Sequence, residues 1–319
     1  MSAVPIETRL ARPEERTPMD DPAPVTRRDC QDGWASTLVT RRWFLRPGVA
    51  AITGAVASSA CGAPLLAERS TGPEPVNASG EVVLVRLGGS VLAERGDYRV
   101  FLPPGYGLDG ASRYPAVYLL HGAGDDDTQW LQIGVTGVAD QMIRSGQLLP
   151  LILVLLDAGP SYGPGPGGAS FEDYLADELV PDVDSRFATT SAREGRAIGG
   201  ISLGGARALE AAAAVPQLFS AVGGHSPVVR NAEVQASELA SAGWQIYLDV
   251  GERDPLRPGV QSLVDALARR DVPHTVRVQP GRHNRAYWTA HLIDYLSFYS
   301  AALTIDRTAD PRCSRPPAS

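Results

Sequence analysis

Between Glu81 and Leu303 short β-like apolar runs alternate with amphipathic stretches of helical period. Residues 82–86 and 98–102 predict an antiparallel opening pair, ended by Pro103-Pro104-Gly105. The runs at 116–120, 151–156, 196–201 and 246–250 are dense in Val, Ile and Leu, as central parallel strands are when both faces are covered. Shorter strands are expected at 219–222 and 275–278. Helical spacing predicts helices at 171–187, 203–215, 259–269 and 285–302, the last with Tyr287, Leu292, Tyr295 and Phe298 in phase. Strand, turn and helix repeat in register, which predicts an α/β fold with an open, mostly parallel sheet and helices on both faces. No internal repeat or linker divides this region.

The ends differ. Residues 1–40 hold Pro13, Pro18, Pro22 and Pro24 among charges without an apolar period, and are expected to be a disordered leader. In residues 41–63 the order is Arg41-Arg42-Trp43-Phe44-Leu45-Arg46, an apolar run at 48–57, then Ser58, Ser59 and Ala60. That order predicts a twin-arginine-type export signal, and so a secreted or membrane-anchored protein. The run is too short and too rich in small residues for a membrane span, which needs roughly 20 apolar residues. Cys61 stands where a lipoprotein signal places its acylated cysteine, but Ser58 stands where such signals usually carry Leu. A lipid anchor at Cys61 and plain cleavage after Ala60 or Ala63 therefore both stand. The earlier pair Arg27-Arg28 lacks a following apolar run, and a start at Met19 or later would account for the long leader. Residues 64–80 are expected to be a flexible tether and 304–319 a frayed tail.

Composition narrows the function classes. A chain of 319 residues with 44% hydrophobic and 20% charged positions has room for one large α/β domain. A formal charge of −7 leaves no basic face for phosphates, so no nucleic-acid partner is expected. All 29 cations are Arg, which excludes Schiff-base and P-loop chemistry built on Lys. Cys30, Cys61 and Cys313 lie far apart and outside metal-ligand spacings, so neither a metal site nor a disulfide framework is expected. Oligomeric state is not legible.

Gly200-Ile201-Ser202-Leu203-Gly204 has the form G-x-S-x-G, moderately specific alone in a chain with 33 glycines. An apolar run leads straight into it and an Ala-rich helical stretch leaves it, which is the setting of a nucleophile elbow. In so sharp a turn, side chains at the flanking glycines would collide with the neighbouring strand and helix. Ser202 is thereby carried to the top of the sheet, where the positive end of the helix favours a developing oxyanion.

A serine hydroxyl is a weak nucleophile at neutral pH, so a histidine base and an orienting carboxylate must follow it, in the order Ser, Asp or Glu, His. Of five histidines only His283 and His291 come late enough. His283, on a loop after a β-like run, is the candidate base, whereas His291 falls inside the last helix. His121 and His225 precede the required position, and His274 is expected to open a strand. Asp254, just past the end of 246–250, is the candidate acid, with Glu252 as the alternative. Asp249, within the strand, is expected to be a satisfied structural carboxylate. Asp125-Asp126-Asp127 is read as a solvated run rather than a metal site.

Four separated segments carry a resemblance. They are Tyr114-Pro115-Ala116-Val117-Tyr118-Leu119-Leu120-His121-Gly122; Phe171-Glu172-Asp173-Tyr174-Leu175 with Glu178-Leu179-Val180-Pro181; Arg196 to Gly205; and Gly281-Arg282-His283 with Trp288. By these the region from Glu81 to Leu303 resembles the esterase family of α/β-hydrolases that includes S-formylglutathione hydrolases, feruloyl and acetylxylan esterases, enterochelin-esterase-like enzymes and secreted mycolyltransferases. The resemblance implies an α/β-hydrolase fold without a large lid domain, and acyl transfer through an acyl-Ser202 intermediate without a cofactor. One oxyanion donor is expected to be the Leu203 amide. Likeness of 121–124 to the HG-type loops of esterases implies Ala123 N–H as the other, with Gly122 and Gly124 as alternatives. Arg285 departs from the aromatic residue expected after the histidine. Trp130, Tyr162 and Trp288 are candidates to line the substrate site. The expected activity is that of an exported serine carboxylesterase on small or glycan-linked esters. Its alternatives are an acyltransferase of the mycolyltransferase type and a non-catalytic envelope-binding protein.

Overall fold

The strands are β1 (Glu81–Val85), β2 (Tyr98–Leu102), β3 (Ala116–Leu120), β4 (Ile152–Leu156), β5 (Arg196–Ile201), β6 (Ala221–His225), β7 (Gln245–Gly251) and β8 (His274–Gln279). They come from a computed structural model that describes residues 79–87, 96–157, 159, 162–163, 168–240 and 243–303. The leader, the signal stretch at 41–63 with Cys61, most of the tether and the tail lie outside the described residues.

One sheet holds them in the order β1-β2-β4-β3-β5-β6-β7-β8. β2 runs antiparallel to both neighbours, and the strands from β4 to β8 are parallel. Alternation along the strands feeds two cores. Tyr118, Val154, Ile198 and Leu248 face one, with Leu175, Leu209 and Leu263 from the covering helices. Val117, Leu153, Ala197 and Tyr247 face the other, with Met142, Tyr295 and Leu296. Burial on both faces explains why the central strands read as unbroken apolar runs. Truncating one of these leucines to Ala removes about 2–5 kcal/mol.

The first face is covered by α3 (Phe171–Asp173), a wider π turn (Tyr174–Leu179), α4 (Val180–Arg186), α5 (Leu203–Ala214), α6 (Ala232–Leu239) and α7 (Arg257–Ala268). The second is covered by α1 (Gln129–Gln132), α2 (Val135–Arg144), α8 (Arg285–Ala290) and α9 (Leu292–Ala302). Three differences from the sequence expectation have physical reasons. The helix expected at 285–302 is two, because His291, at φ −111° and ψ 9°, leaves helical geometry. Apolar spacing continues across it through Trp288, Leu292 and Tyr295, so periodicity does not reveal the break. The strand expected at 219–222 runs on to His225, since Gly223 and Gly224 belong to it but carry no apolar side chain. The helices α1, α2 and α6 were not anticipated; α2 starts after Gly134 at φ 91° and holds Gly137, which weakens its local signal.

Candidate active site

The chain leaves β3 toward β4 on one side and leaves β5 toward β6 on the other. Such a reversal opens a crevice at the carboxyl ends of the strands. Four loops meet there: 121–124 after β3, the turn at Ser202 after β5, the segment at Asp254 after β7, and the loop carrying His283 after β8.

Ser202 adopts φ 58° and ψ −114° between β5 and α5. That conformation costs about 1–3 kcal/mol in a non-glycine residue and persists only where surroundings over-determine it. Its N–H donates to His225 O at 2.9 Å, and its carbonyl accepts from Ala206 N–H and Val228 N–H, each at 3.1 Å. The flanking glycines are required by contact. A Cβ on Gly200 would collide with the Gly204 backbone, and one on Gly204 with the carbonyls of Leu120 and His121.

The structure brings Ser202, His283 and Asp254 together. Ser202 Oγ lies 2.9 Å from His283 Nε2, and His283 Nδ1 lies 2.9 Å from Asp254 Oδ2. Asp254 is 4% exposed, and its second oxygen accepts the Leu256 N–H at 2.8 Å. An ionised carboxylate can only accept, so it takes the Nδ1–H and leaves the Nε2 lone pair facing the hydroxyl, which donates to it. That arrangement can withdraw the hydroxyl proton as Oγ attacks a carbonyl carbon. Glu252, the alternative acid, is exposed, and His291 pairs instead with Asp294 at 3.5 Å. His274 opens β8 with Nδ1 2.8 Å from Val272 O.

The Leu203 N–H, at the first position of α5, has no acceptor among the described residues, nor has that of Ala123. Gly122 N–H is already taken by Gln129 Oε1 at 2.8 Å, which removes it from the alternatives, while Gly124 N–H is free among the described residues. Gln129 was not singled out from the sequence, and no spacing rule marks it. Its amide nitrogen donates in turn to Asp125, whose other oxygen accepts from Arg285 Nη2 at 2.8 Å. Arg285 also donates to Gln132. The departure residue thus ties the loop that carries His283 to the loop that carries Ala123.

The acidic run diverges. Asp125 goes to Arg285 and Gln129. Asp126 accepts from the hydroxyl and N–H of Thr128, at 2.6 and 2.8 Å, and these bonds hold its carboxyl below the usual range. Burial pushes Asp127 up, opposed by Arg99, whose Nε lies 2.9 Å away.

Two of the aromatic candidates need correction. Trp130 and Tyr162 are each 1% exposed. Trp130 donates from Nε1 to Leu120 O at 3.0 Å, and the Tyr162 hydroxyl donates to His121 O at 2.8 Å. Their polar atoms are spent on the backbone around β3, so they brace the loop from inside and present no surface to substrate. His121 stacks on Tyr162 with ring centroids 4.9 Å apart, as a loop-bracing residue would. Trp288 is buried too, but its ring stands edge-on to the His283 imidazole at 5.1 Å.

An eight-stranded, mostly parallel sheet with a strained serine turn at its switch point defines an α/β-hydrolase fold. A family model described as "Putative esterase" matches residues 90–299, and the chain belongs to that family. It is 33% identical over 178 residues to an endo-1,4-beta-xylanase/feruloyl esterase of Xylanibacter ruminicola, covering 53% of this chain and 24% of that protein. It is 32% identical over 133 residues to an esterase of Mycobacterium tuberculosis, covering 40% of this chain and 28% of that one. The matched segments thus span about a quarter of the length of these curated relatives. Among solved structures, a ferulic acid esterase matches with a TM-score of 0.64 and 25% identity, covering 72% of this chain and all of that one.

Proposed function

We propose that the protein is an exported serine esterase that cleaves carboxylic esters through acyl-Ser202. The observation that carries this reading is the run of contacts from Ser202 Oγ to His283 to Asp254, 2.9 Å at each step, beneath a strained elbow. In the first half-reaction Ser202 Oγ attacks the ester carbonyl while its proton passes to His283 Nε2. Asp254 holds the Nδ1–H and offsets the imidazolium charge. The oxyanion is received by the N–H groups of Leu203 and Ala123. Collapse expels the alcohol, which takes the proton from His283, and leaves the acyl group on Ser202. Water then attacks with the same proton path reversed, releasing the acid and restoring the hydroxyl. No cofactor or metal enters any step.

The family supports ester hydrolysis, and the relatives named for feruloyl and ferulic acid esters support a hydroxycinnamoyl group linked to a glycan as the first substrate class to test. The His283 side chain is 25% exposed, so water can reach the acyl-enzyme as hydrolysis requires, while an alcohol acceptor entering by the same way would give transfer instead. Product analysis with trehalose added separates the two. Export through the stretch at 41–63, ending in a secreted protein or one lipidated at Cys61, rests on residue order alone. Labelled palmitate and a Cys61→Ala variant test it.

The deciding experiment is incubation with a fluorophosphonate probe followed by mass mapping. Label on Ser202, absent in Ser202→Ala, is the expected result. A folded protein that takes no label would point to the non-catalytic, envelope-binding reading.

A further inference from the structure

One buried polar cluster takes no part in these steps. His225 ends β6 and pairs across the sheet with Asp249 of β7. Its Nδ1 lies 2.8 Å from Asp249 Oδ1, and its Nε2 lies 2.9 Å from the Tyr299 hydroxyl. Tyr295 donates to the other Asp249 oxygen at 2.9 Å and stacks on the imidazole with centroids 3.7 Å apart. His225 and Asp249 are 0% exposed, and Tyr295 and Tyr299 1%. Gly199 and Gly223 leave the space that the Tyr299 hydroxyl fills, since a Cβ on either would strike it. Apolar side chains of equal volume would fill such a place at lower desolvation cost, so what the polar set supplies is a single geometry.

We infer that His225, locked by Asp249 and Tyr299, is a positioning residue that holds the nucleophile turn and the flank of the base in register. This rests on the reading of Ser202 as nucleophile. The backbone from His225 to Val228 holds one partner of the proton transfer, Ser202, directly, and reaches the other, His283, only through the side chains of Ser226 and Trp288. His225 O receives the Ser202 N–H at 2.9 Å, Ser202 O receives the Val228 N–H at 3.1 Å, and Ser226 N–H is fixed on Asp249 O at 2.8 Å. Ser226 is itself at φ 51°, so a strained residue directly follows each of β5 and β6. Its Oγ lies 3.4 Å from Trp288 Nε1, and the Trp288 ring abuts the His283 imidazole. A locked ring at 225 fixes the carbonyl on the same residue, and that carbonyl holds Ser202 in its left-handed conformation. With the ring unpinned, the turn relaxes and Oγ leaves its line to Nε2.

The test compares His225→Leu, His225→Asn, Asp249→Asn and Tyr299→Phe with the wild-type protein. Read per folded molecule, the quantities are kcat and KM on a short-chain p-nitrophenyl ester, the second-order rate of fluorophosphonate labelling, and the pH profile. His225→Leu and Asp249→Asn are expected to lower kcat and labelling by about 10- to 100-fold, the scale of a displaced reacting atom, with KM little changed. His225→Asn, whose amide donates where Nδ1 does, should recover part of that loss. The pH midpoint should stay put, because His283 keeps Asp254. Tyr299→Phe deletes one buried hydroxyl and should give a smaller loss in the same direction. Variants that melt earlier yet turn over and label at wild-type rates would reduce the cluster to packing and overturn the inference. If only Tyr299→Phe folds, its kcat and labelling rate decide alone. A wild-type protein that does not label at Ser202 overturns the esterase reading, and this one with it.

Discussion

Two histidine–aspartate pairs flank the same serine turn, each through its histidine, and make almost the same bond. In one, His225 Nδ1 is 2.8 Å from Asp249; in the other, His283 Nδ1 is 2.9 Å from Asp254. They differ in what the second nitrogen meets and in access. His225 Nε2 meets the Tyr299 hydroxyl, whose ionisation burial suppresses, and neither side chain of that pair is exposed. His283 Nε2 meets Ser202 Oγ, and its imidazole is 25% exposed. An imidazole–carboxylate pair therefore has no reactivity by itself. Placed inside strands β6 and β7 it is fully enclosed; placed on loops beyond the strand ends, beside the half-buried hydroxyl of Ser202, it has the geometry that the proposed proton transfer needs.

The largest expected effect breaks the reactive side outright. Ser202→Ala should lower short-chain ester turnover by about 10⁶-fold, the loss seen when one member of a coupled triad is removed, while the chain stays folded. Asp254→Ala comes next, with kcat down about 10⁴-fold as the imidazole loses its fixed tautomer. In the wild-type protein kcat/KM should fall on acidification, because an imidazolium at His283 has no lone pair for the Ser202 proton. A rate flat across the acid side would remove His283 from the mechanism.

The same two aspartates should trade places when stability is measured. Asp249→Ala leaves the His225 Nδ1–H and the Tyr295 hydroxyl without acceptors where no water reaches. The expected cost is about 3–5 kcal/mol, or roughly 10 °C in Tm for a domain of this size. Asp254→Ala leaves the His283 Nδ1–H and the Leu256 N–H without that acceptor, but on loops at the strand ends where the imidazole is 25% exposed and can move toward water, so its Tm should drop by less. Equal Tm losses in thermal melts would mean that burial does not separate the pairs.

This asymmetry also explains what the sequence reveals. The proposed triad could be picked out because each member follows a recognisable strand: Ser202 ends an apolar run with glycines on either side, Asp254 follows 246–250, and His283 follows a β-like run. The buried pair is not legible as a pair. Gly223-Gly224-His225 reads as the end of a strand when it is the continuation of one, and the tyrosines that complete the cluster lie some seventy residues later, on a helix whose apolar spacing marks them only as core. Asp249 reads correctly as a satisfied carboxylate, but its partners depend on strand order, which local pattern does not encode. Trp130 and Tyr162 mislead for a related reason. Large aromatic residues near a site are as useful beneath a loop as facing substrate, and only burial tells which.

The smallest expected effect concerns the bridge over the crevice. Arg285 Nη2 reaches Asp125 at 2.8 Å, and Asp125 holds Gln129, whose Oε1 holds the Gly122 N–H beside the proposed Ala123 donor. The guanidinium is 51% exposed and the carboxylate 26%, so the pair is solvated and contributes no more than about 1 kcal/mol. Gln129, at 2% exposure, keeps the loop in place without it. Arg285→Ala should therefore lower kcat/KM by no more than about 5-fold, the equivalent of 1 kcal/mol. Raising salt to about 1 M, where the Debye length is near 3 Å, should move wild-type kcat/KM toward the variant's value while leaving the variant's nearly unchanged. The His225–Asp249 pair, sealed from ions, should show no such salt response, and a salt-sensitive Tm difference between Asp249→Ala and wild type would contradict its burial.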